Sequence, residues 1–214
     1  MIKRLISSNF KKPAGLIGRL TSKLMVKGNK VNYDVLLKDL SVQPADKILE
    51  IGYGPGIGIA MIAEACNSCE IYGIDFSRLM YKKAQALNRK YINEGKVKLF
   101  YGDFVATNID ADGFDKIFCI NVVYFWNNLE PPFKKVRTFL KENGRFHFYM
   151  AHPDFMKKLN PADDIFNKYS IEQITAALSD AGFNNIEYYF NKGYYISAVK
   201  QNISCLCACT TNFN

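Results

Sequence analysis

Four glycines stand at alternate positions directly after an apolar run, in the segment ILEIGYGPGIGIA of residues 48–60. Glycine weakens the interior of both helices and strands, so this spacing cannot belong to either. The segment therefore predicts a strand that ends near Ile51, a tight glycine turn, and a helix over residues 57–65. A turn without side chains lets the backbone approach a bound ligand closely.

The length and composition are those of one globular domain. The chain has 214 residues, of which 49% are hydrophobic and 22% charged, and this is enough to bury a sizeable core. No apolar run approaches the ~20 residues that a membrane span requires, so we expect no transmembrane segment. Lys11 and Lys12 interrupt the apolar section that a secretory signal peptide would need. These features favour a cytoplasmic protein.

The net charge of +8 is concentrated in the leader, residues 1–33, which holds eight Lys or Arg and no Asp or Glu. The remaining 20 basic residues balance the 20 acidic residues. Leu16, Leu20 and Leu24 recur at helical spacing, so the leader is also amphipathic. We expect basic cap helices whose apolar face covers the domain. A mitochondrial transit peptide and a surface for anionic lipid or nucleic acid are the alternatives.

Short strand-like runs alternate with helical segments after residue 33. The runs are DKILEIG, CEIYGID, VKLFYGD, DKIFCINVV and RFHFYMA, and this alternation predicts a parallel sheet covered on both faces. A helix that stops at Gly182 follows, then two further runs separated only by residues 191–193, which predict an antiparallel hairpin. The sequence thus indicates one α/β domain over residues 34–200. We expect the Cys-rich tail, residues 201–214, to be disordered.

Three ligand chemistries compete for the glycine turn. A P-loop requires Lys and Ser or Thr after its glycines, and the turn instead continues as Gly58, Ile59 and Ala60. A dinucleotide-binding turn requires a third small residue at a fixed place, and every register puts Ile57, Ile59 or Met61 there. Both readings are therefore disfavoured.

The third chemistry is S-adenosylmethionine, which carries a ribose and an adenine but no phosphate. It requires a carboxylate at the end of the next strand for its ribose hydroxyls, and Asp75 in IYGID stands there. Asp103 in YGDF follows the third strand, where it can accept from the adenine amino group. Carboxyl ends of neighbouring parallel strands meet at one edge of a sheet, so the turn and both acids favour this ligand together.

These segments resemble the motifs of the class I S-adenosylmethionine-dependent methyltransferases, particularly the small-molecule type 11 subgroup. The resemblance rests on LEIGYGPGIG, GIDFSRLM, YGDF, FDKIFCINVVYFW and LKENGRFHF, and it extends over about residues 14–200. It implies a Rossmann-like seven-stranded sheet of order 3-2-1-4-5-7-6, with strand 7 antiparallel and an N-terminal helical cap.

The resemblance also implies the residues that bind S-adenosylmethionine. Asp75 would bind the ribose, Met80 would pack on the adenine, and Asp103 and Phe104 would flank it. The full implied set is Glu50, Gly52, Tyr53, Gly54, Gly56, Asp75, Phe76, Met80, Gly102, Asp103, Phe104 and Asn121. The expected acceptor is a small, apolar or aromatic molecule.

Candidates for the chemical step follow the fourth and fifth strands. Asn121 and Tyr124 have the spacing of the amino-methyltransferases, but two valines stand where that group has prolines, so we expect Asn121 to line the methionine end of the cofactor. Tyr124 and Trp126 could wall an acceptor pocket, or pack in the core. His152 could act as a general base, or be a loop residue without function. His147 lies within a strand and is expected to be packed.

The six cysteines are typical of a reducing compartment rather than of a secreted disulfide framework. Cys119 is expected in the core. Cys66 and Cys69 form a C-x-x-C, and the tail carries Cys205, Cys207 and Cys209; we expect reduced thiols in both places and no metal site.

Two other functions compete with a small-molecule methyltransferase. One is an RNA methyltransferase guided by the basic leader, although nucleic acid is not the expected partner. The other is a non-catalytic module that binds S-adenosylmethionine.

Overall fold

The structure is a computed structural model, and it describes residues 31–152, residue 154 and residues 166–201. The predicted cap helices before residue 31 lie outside the described residues. The same holds for the tail from residue 202, with Cys205, Cys207 and Cys209. The predictions for both segments, and the predicted boundaries of the domain, therefore stay predictions.

The described residues form seven strands and six helices. The strands are β1 (Lys47–Ile51), β2 (Glu70–Asp75), β3 (Val97–Tyr101), β4 (Phe114–Ile120), β5 (Leu140–Ala151), β6 (Asn184–Phe190) and β7 (Gly193–Val199). The helices are α1 (residues 31–40), α2 (Ile57–Ala65), α3 (Arg78–Leu87), α4 (Arg89–Asn93), α5 (Glu130–Phe139) and α6 (Ile171–Asp180). A short 3-10 turn, Val123–Phe125, follows β4. The strand end at Ile51 and the helix over residues 57–65 confirm the sequence prediction.

All seven strands join in one sheet of order β3-β2-β1-β4-β5-β7-β6. Strands β1 to β5 pair in parallel, and β7 pairs antiparallel with both β5 and β6. The order and the final hairpin confirm the predicted Rossmann-like architecture. The register places Ile51 opposite Ile74 and Asp75 opposite Tyr101, so the carboxyl ends of β1, β2 and β3 reach the same edge. This carboxyl edge is where a ligand of the glycine turn would lie.

The central strands read as continuous apolar runs because helices cover both of their faces. Ile48 and Leu49 of β1 are fully buried, and α1 adds Leu36 and Leu40 to the core. Each such side chain contributes roughly 1.5–3 kcal/mol by leaving water. None of the described helices combines the length and the apolar character that a membrane span demands.

Local signals explain where the helices begin and end. The side chain of Ser77 accepts from the backbone N–H of Met80 and starts α3. Ser170 and Gln173 form a reciprocal capping box at the start of α6. Gly182 follows α6 with φ +86°, which confirms the predicted stop.

The prediction of reduced thiols at the C-x-x-C is wrong, because Cys66 and Cys69 form a disulfide. The turn between α2 and β2 brings their Cα atoms to 5.6 Å, a separation that a disulfide spans readily. The pair lies at the amino edge of the sheet, opposite the glycine turn. Cys119 is a free thiol in the core, as expected.

Candidate functional site at the carboxyl edge of the sheet

The glycine turn has a left-handed backbone at three of its four glycines. Gly52, Gly54 and Gly56 have φ values of +70°, +54° and +86°. A Cβ atom at Gly54 would meet nothing within 4 Å, so this glycine faces open space beside the turn. At Gly58 the reason for glycine differs: a Cβ atom there would come within 2.7 Å of Glu50 Oε2. The turn thus exposes backbone without a side chain at Gly54, and Gly58 packs against the carboxyl group of Glu50.

Asp75 ties the end of β2 to the glycine turn. Its Oδ2 accepts from the backbone N–H of Gly54 at 2.9 Å, and its Oδ1 accepts from the backbone N–H of Ser77 at 2.7 Å. Burial raises the pKa of Asp75 to about 6, against the lowering effect of these two hydrogen bonds. Each carboxylate oxygen retains a lone pair, so the group can still accept from two hydroxyls of a ligand.

Glu50 is a fully buried carboxyl group next to the start of α2. Its Oε1 accepts from the hydroxyl of Tyr33 at 2.7 Å. Its Oε2 is buried and has no hydrogen-bond partner among the described residues. Burial raises the pKa of Glu50 to about 8, although the Tyr33 hydrogen bond lowers it. The sequence analysis missed Tyr33, because the contact joins α1 to β1 across 17 positions and no local pattern marks it.

Residues after β2 and β3 supply an apolar surface at the same edge. Met80 and Phe104 are buried, and Phe76 is half-buried. The Phe104 ring stands edge-on to Phe139, with centroids 5.9 Å apart. The backbone N–H of Gly102 donates to the carbonyl of Asp75 at 3.0 Å, which holds the two strand ends together.

Asp103 is exposed, and its Oδ1 accepts from the backbone N–H groups of Val105 and Ala106. Through these contacts Asp103 caps its own loop. Both of them use Oδ1 and neither uses Oδ2.

The side chain of Tyr53 does not lie with the other predicted cofactor residues. It is fully buried, and its hydroxyl donates to the carbonyl of Phe100 at 3.0 Å beneath β3. Only the backbone of Tyr53 belongs to the turn, where its carbonyl accepts from the N–H of Gly56 at 2.9 Å.

The ends of β4 and β5 are joined through Asn121. This residue has φ +59°, and its Oδ1 accepts from the backbone N–H of Ala151 at 3.2 Å. Tyr124 is buried with its ring edge-on to Phe125 and Phe166, and burial raises the pKa of its hydroxyl well above the usual value. Packing therefore accounts for much of the position of Tyr124.

His152 follows β5 beside the β6–β7 hairpin. Its ring lies 5.5 Å from Phe190 and 5.9 Å from Tyr194, measured between centroids. Its Nδ1 accepts from the backbone N–H of Asp154 at 3.3 Å. Strand order places His152 three strand spacings from Asp75, or about 14 Å.

Two other candidates of the sequence analysis have structural partners. Trp126 packs between Phe104 and Phe133, and its carbonyl accepts from the hydroxyl of Tyr169 at 2.6 Å. His147 is buried within β5, as predicted, and burial lowers its pKa to about 4. A neutral His147 is therefore part of the core.

Comparison with known proteins finds methyltransferases. Residues 48–144 match the family model described as a methyltransferase domain. The match covers a little under half of the chain, and the relatives and solved structures that resemble the chain include methyltransferases. An uncharacterised methyltransferase of Bacillus subtilis, YdaC, is 24% identical to it over 173 residues, which cover 78% of this chain and 87% of the relative.

Other relatives of the chain are longer. The sterol 24-C-methyltransferase of Kluyveromyces lactis is 25% identical over 158 residues, which cover 68% of this chain but only 42% of that enzyme. The chain thus spans less than half the length of such relatives.

Solved structures share the fold at low identity. A chain in the complex of the Haloferax volcanii Trm112 methyltransferase activator with a methyltransferase aligns with a TM-score of 0.73 at 16% identity, covering 86% of this chain and 95% of that one. The phosphoethanolamine N-methyltransferase 2 of Haemonchus contortus, solved with S-adenosyl-L-methionine, aligns at 0.67 and 16% identity, covering 81% of this chain and 53% of that one.

Proposed function

We propose that this chain is a methyltransferase that takes its methyl group from S-adenosylmethionine, bound at the carboxyl edge of β1 to β3, and transfers it to a small apolar or aromatic molecule. The observation that carries the proposal is the pair of hydrogen bonds from Gly54 and Ser77 to the Asp75 carboxylate. They join the bare turn to an acid that can still accept from ribose hydroxyls.

The residues present fit this cofactor. The open space at Gly54 leaves room for a ligand against the backbone, and Glu50 Oε2 is a buried acceptor without a described partner. When bound, S-adenosylmethionine supplies a methyl group on a positively charged sulfonium. A cationic ligand favours the ionised forms of Asp75 and Glu50, whose pKa values burial raises.

The other proposed contacts follow the strand ends. Gly52, Gly56 and Asn121 would border the methionine part of the cofactor. Met80, Phe76, Gly102, Phe104 and Asp103 would surround the adenine, with apolar side chains on its faces and the exposed carboxylate at its amino group. Tyr53 would contribute its backbone alone, because its side chain is committed to β3.

Methyl transfer requires alignment of the acceptor with the sulfonium and exclusion of water. Tyr124 and Trp126 lie beyond β4, where their rings would form aromatic walls for an apolar acceptor. Tyr124 cannot serve as a base near neutral pH, since burial keeps its hydroxyl protonated. No described contact favours RNA methylation or binding without catalysis as the function.

The test is calorimetric titration with S-adenosylhomocysteine. The wild-type chain should bind, and Asp75→Ala should weaken binding at least about tenfold, since it removes both the ribose acceptor and the support of Gly54. Asp115→Asn is the matched control, because Asp115 also accepts from a backbone N–H, that of Lys47, but at the amino edge. Absence of binding by the wild type, or equal binding by Asp75→Ala, would refute the proposal.

His152 is the proposed general base for acceptors that lose a proton. Because Nδ1 accepts from Asp154, that contact must open before Nδ1 takes a proton. We expect His152→Ala to slow turnover without weakening the binding of S-adenosylhomocysteine. Turnover that stays unchanged would remove His152 from the mechanism.

A further inference from the structure

The outermost strand β6 has one side of its backbone that pairs with no strand among the described residues. The sheet order places β6 at one end, where β7 is its neighbour. Successive residues of an antiparallel strand direct their N–H and C=O groups to opposite sides. The N–H of Asn191 bonds to the carbonyl of Gly193, so alternation turns the backbone groups of Tyr188 and Phe190 outward. These outward groups form a template for a further strand.

β6 has few of the features that usually keep a free edge apart from other strands. Those features include lysine or proline side chains, short strands and bulges. The other edge strand, β3, has five residues and carries Lys98. β6 has seven residues without lysine or proline. Its pairing with β7 is irregular between Asn184 and Glu187, and residues 187–190 are regular and exposed. The regular part of β6 is therefore open to pairing.

Aromatic rings flank this regular part on both faces. Tyr188 and Phe190 share one face with Tyr194, whose ring centroid lies 6.3 Å and 5.3 Å from theirs. Tyr189 projects to the other face, as alternation along a strand requires, and stacks on Tyr195 at 5.0 Å. Phe190, Tyr188 and Tyr189 remain 59%, 52% and 45% exposed. A strand that paired with β6 would cover part of this exposed aromatic surface.

A second copy of the chain fits this edge, because antiparallel pairing about a two-fold axis brings one strand against itself. With the axis at Tyr189, the outward backbone groups of Tyr188 meet those of Phe190 in the second copy, and the reverse. Side chains directly opposite each other in an antiparallel pair share a face, so the Tyr188 and Phe190 rings also meet. Backbone hydrogen bonds and aromatic pairs therefore form in the same register.

The charges of the hairpin favour the same register. Glu187 begins the regular part and Lys192 lies in the turn after β6, and both are exposed. Asp39, an acid next to Tyr189, accepts a hydrogen bond from its hydroxyl. The axis at Tyr189 sets Glu187 beside Lys192 of the second copy and keeps the two Glu187 groups about 14 Å apart. An axis at Tyr188 would bring these two acids to about 8 Å, away from the lysines.

We propose that β6 is a homodimer interface, in which it pairs antiparallel with β6 of a second copy about a two-fold axis at Tyr189. The two sheets then form one continuous sheet with the two β6 strands at its centre. β1 to β3 lie in the far half of each sheet, so their carboxyl ends stay open in the dimer. The pairing does not depend on the proposed methyl transfer.

Sedimentation equilibrium of the full chain tests the pairing. The wild type should form dimers that dissociate on dilution. The double variant Tyr188→Ser with Phe190→Ser should raise the dissociation constant at least about tenfold, because its rings no longer leave water on pairing. Both residues are exposed, so the variant should fold, and its far-ultraviolet circular dichroism verifies this. Tyr101→Ser is the matched control, since Tyr101 is 49% exposed at the end of β3 and should leave dimerisation unchanged.

Charge reversal tests the register. Glu187→Lys should weaken the dimer, because two lysines then meet, and Lys192→Glu should weaken it because two acids meet. The variant with both changes should dimerise like the wild type, and a mixture of the two single variants should form a heterodimer. The proposal is overturned if the wild type is a monomer, if the ring variant dimerises as tightly as the wild type, or if combining the two charge changes restores nothing.

Discussion

Glu50 and Asp75 are two acids whose burial conflicts with their charge. Burial raises the pKa of Glu50 to about 8 and that of Asp75 to about 6. A raised pKa means that the folded state holds a proton that the unfolded chain has released. Ionisation of these two buried acids therefore lowers the stability of the folded protein, and a cationic ligand would offset that loss.

This conflict predicts how stability depends on pH. The contribution of Glu50 is complete below its ordinary pKa of 4.5 and is lost as the pH rises toward about 8. Glu50→Gln should remove the loss and keep an acceptor for Tyr33. The free energy of unfolding of the variant should then exceed that of the wild type by an amount that grows with pH, to a few kcal/mol, given about 1.4 kcal/mol per pKa unit.

Urea unfolding between about pH 5 and pH 9 measures this difference. This range covers the rise in the pKa of Glu50 from 4.5 to about 8. Glu64→Gln serves as the control, since Glu64 is exposed on α2. A Glu50→Gln variant that follows the pH dependence of the wild type would contradict the prediction.

At the scale of elements, the carboxyl edge depends on short links between neighbouring strand ends. Gly102 N–H bonds to the carbonyl of Asp75 between β3 and β2, and Asn121 bonds to Ala151 between β4 and β5. Each link uses a residue that leaves the strand in an irregular conformation. The edge is therefore held both by backbone hydrogen bonds of the residues just after the strands and by the side chain of Asn121.

Asn121 tests this view. Ala at φ +59° costs about 1 kcal/mol, and loss of the bond to Ala151 costs about another, so Asn121→Ala should lower the free energy of unfolding by about 2 kcal/mol. Asn121→Gly removes the backbone strain but not the loss of the bond, and should cost about half as much. Urea unfolding of both variants measures the two effects. Equal losses for Ala and Gly would show that the left-handed backbone contributes nothing.

At the scale of the whole molecule, the two edges of the sheet have different roles. The carboxyl edge carries the glycine turn, the acids and the exposed rings. The amino edge carries structural ties: Lys116 pairs with Asp46 at 2.5 Å, Lys141 pairs with Asp115 at 2.7 Å, and Cys66 is joined to Cys69. Changes at the amino edge should therefore alter stability without altering ligand affinity.

The disulfide tests this separation of roles. It closes a loop with a sequence separation of three, for which the chain-entropy estimate is about 2 kcal/mol. Cys66→Ser with Cys69→Ser should lower the free energy of unfolding by up to that amount and leave the affinity for S-adenosylhomocysteine unchanged. A marked loss of affinity would mean that the two edges are coupled.

Much of the fold and of the candidate site could be predicted from local sequence patterns. The turn around Gly54, the strand that ends at Asp75 and the hairpin after Gly182 each depend on residues close together in the chain. Periodicity and backbone preference act over a few positions, so they can be read without knowing the partner elements. The strand order came from resemblance rather than from such patterns.

The tertiary structure decided which way the side chains point and what they meet. The burial of Tyr53 beneath β3, the bond from Tyr33 to Glu50 and the link from Asn121 to Ala151 each join residues between 17 and 47 positions apart. The Cys66–Cys69 disulfide likewise depends on how the end of α2 meets the start of β2. The sequence by itself determined the turn and its acids, because these are encoded by neighbours. Contacts between distant elements exist only once the whole core has packed.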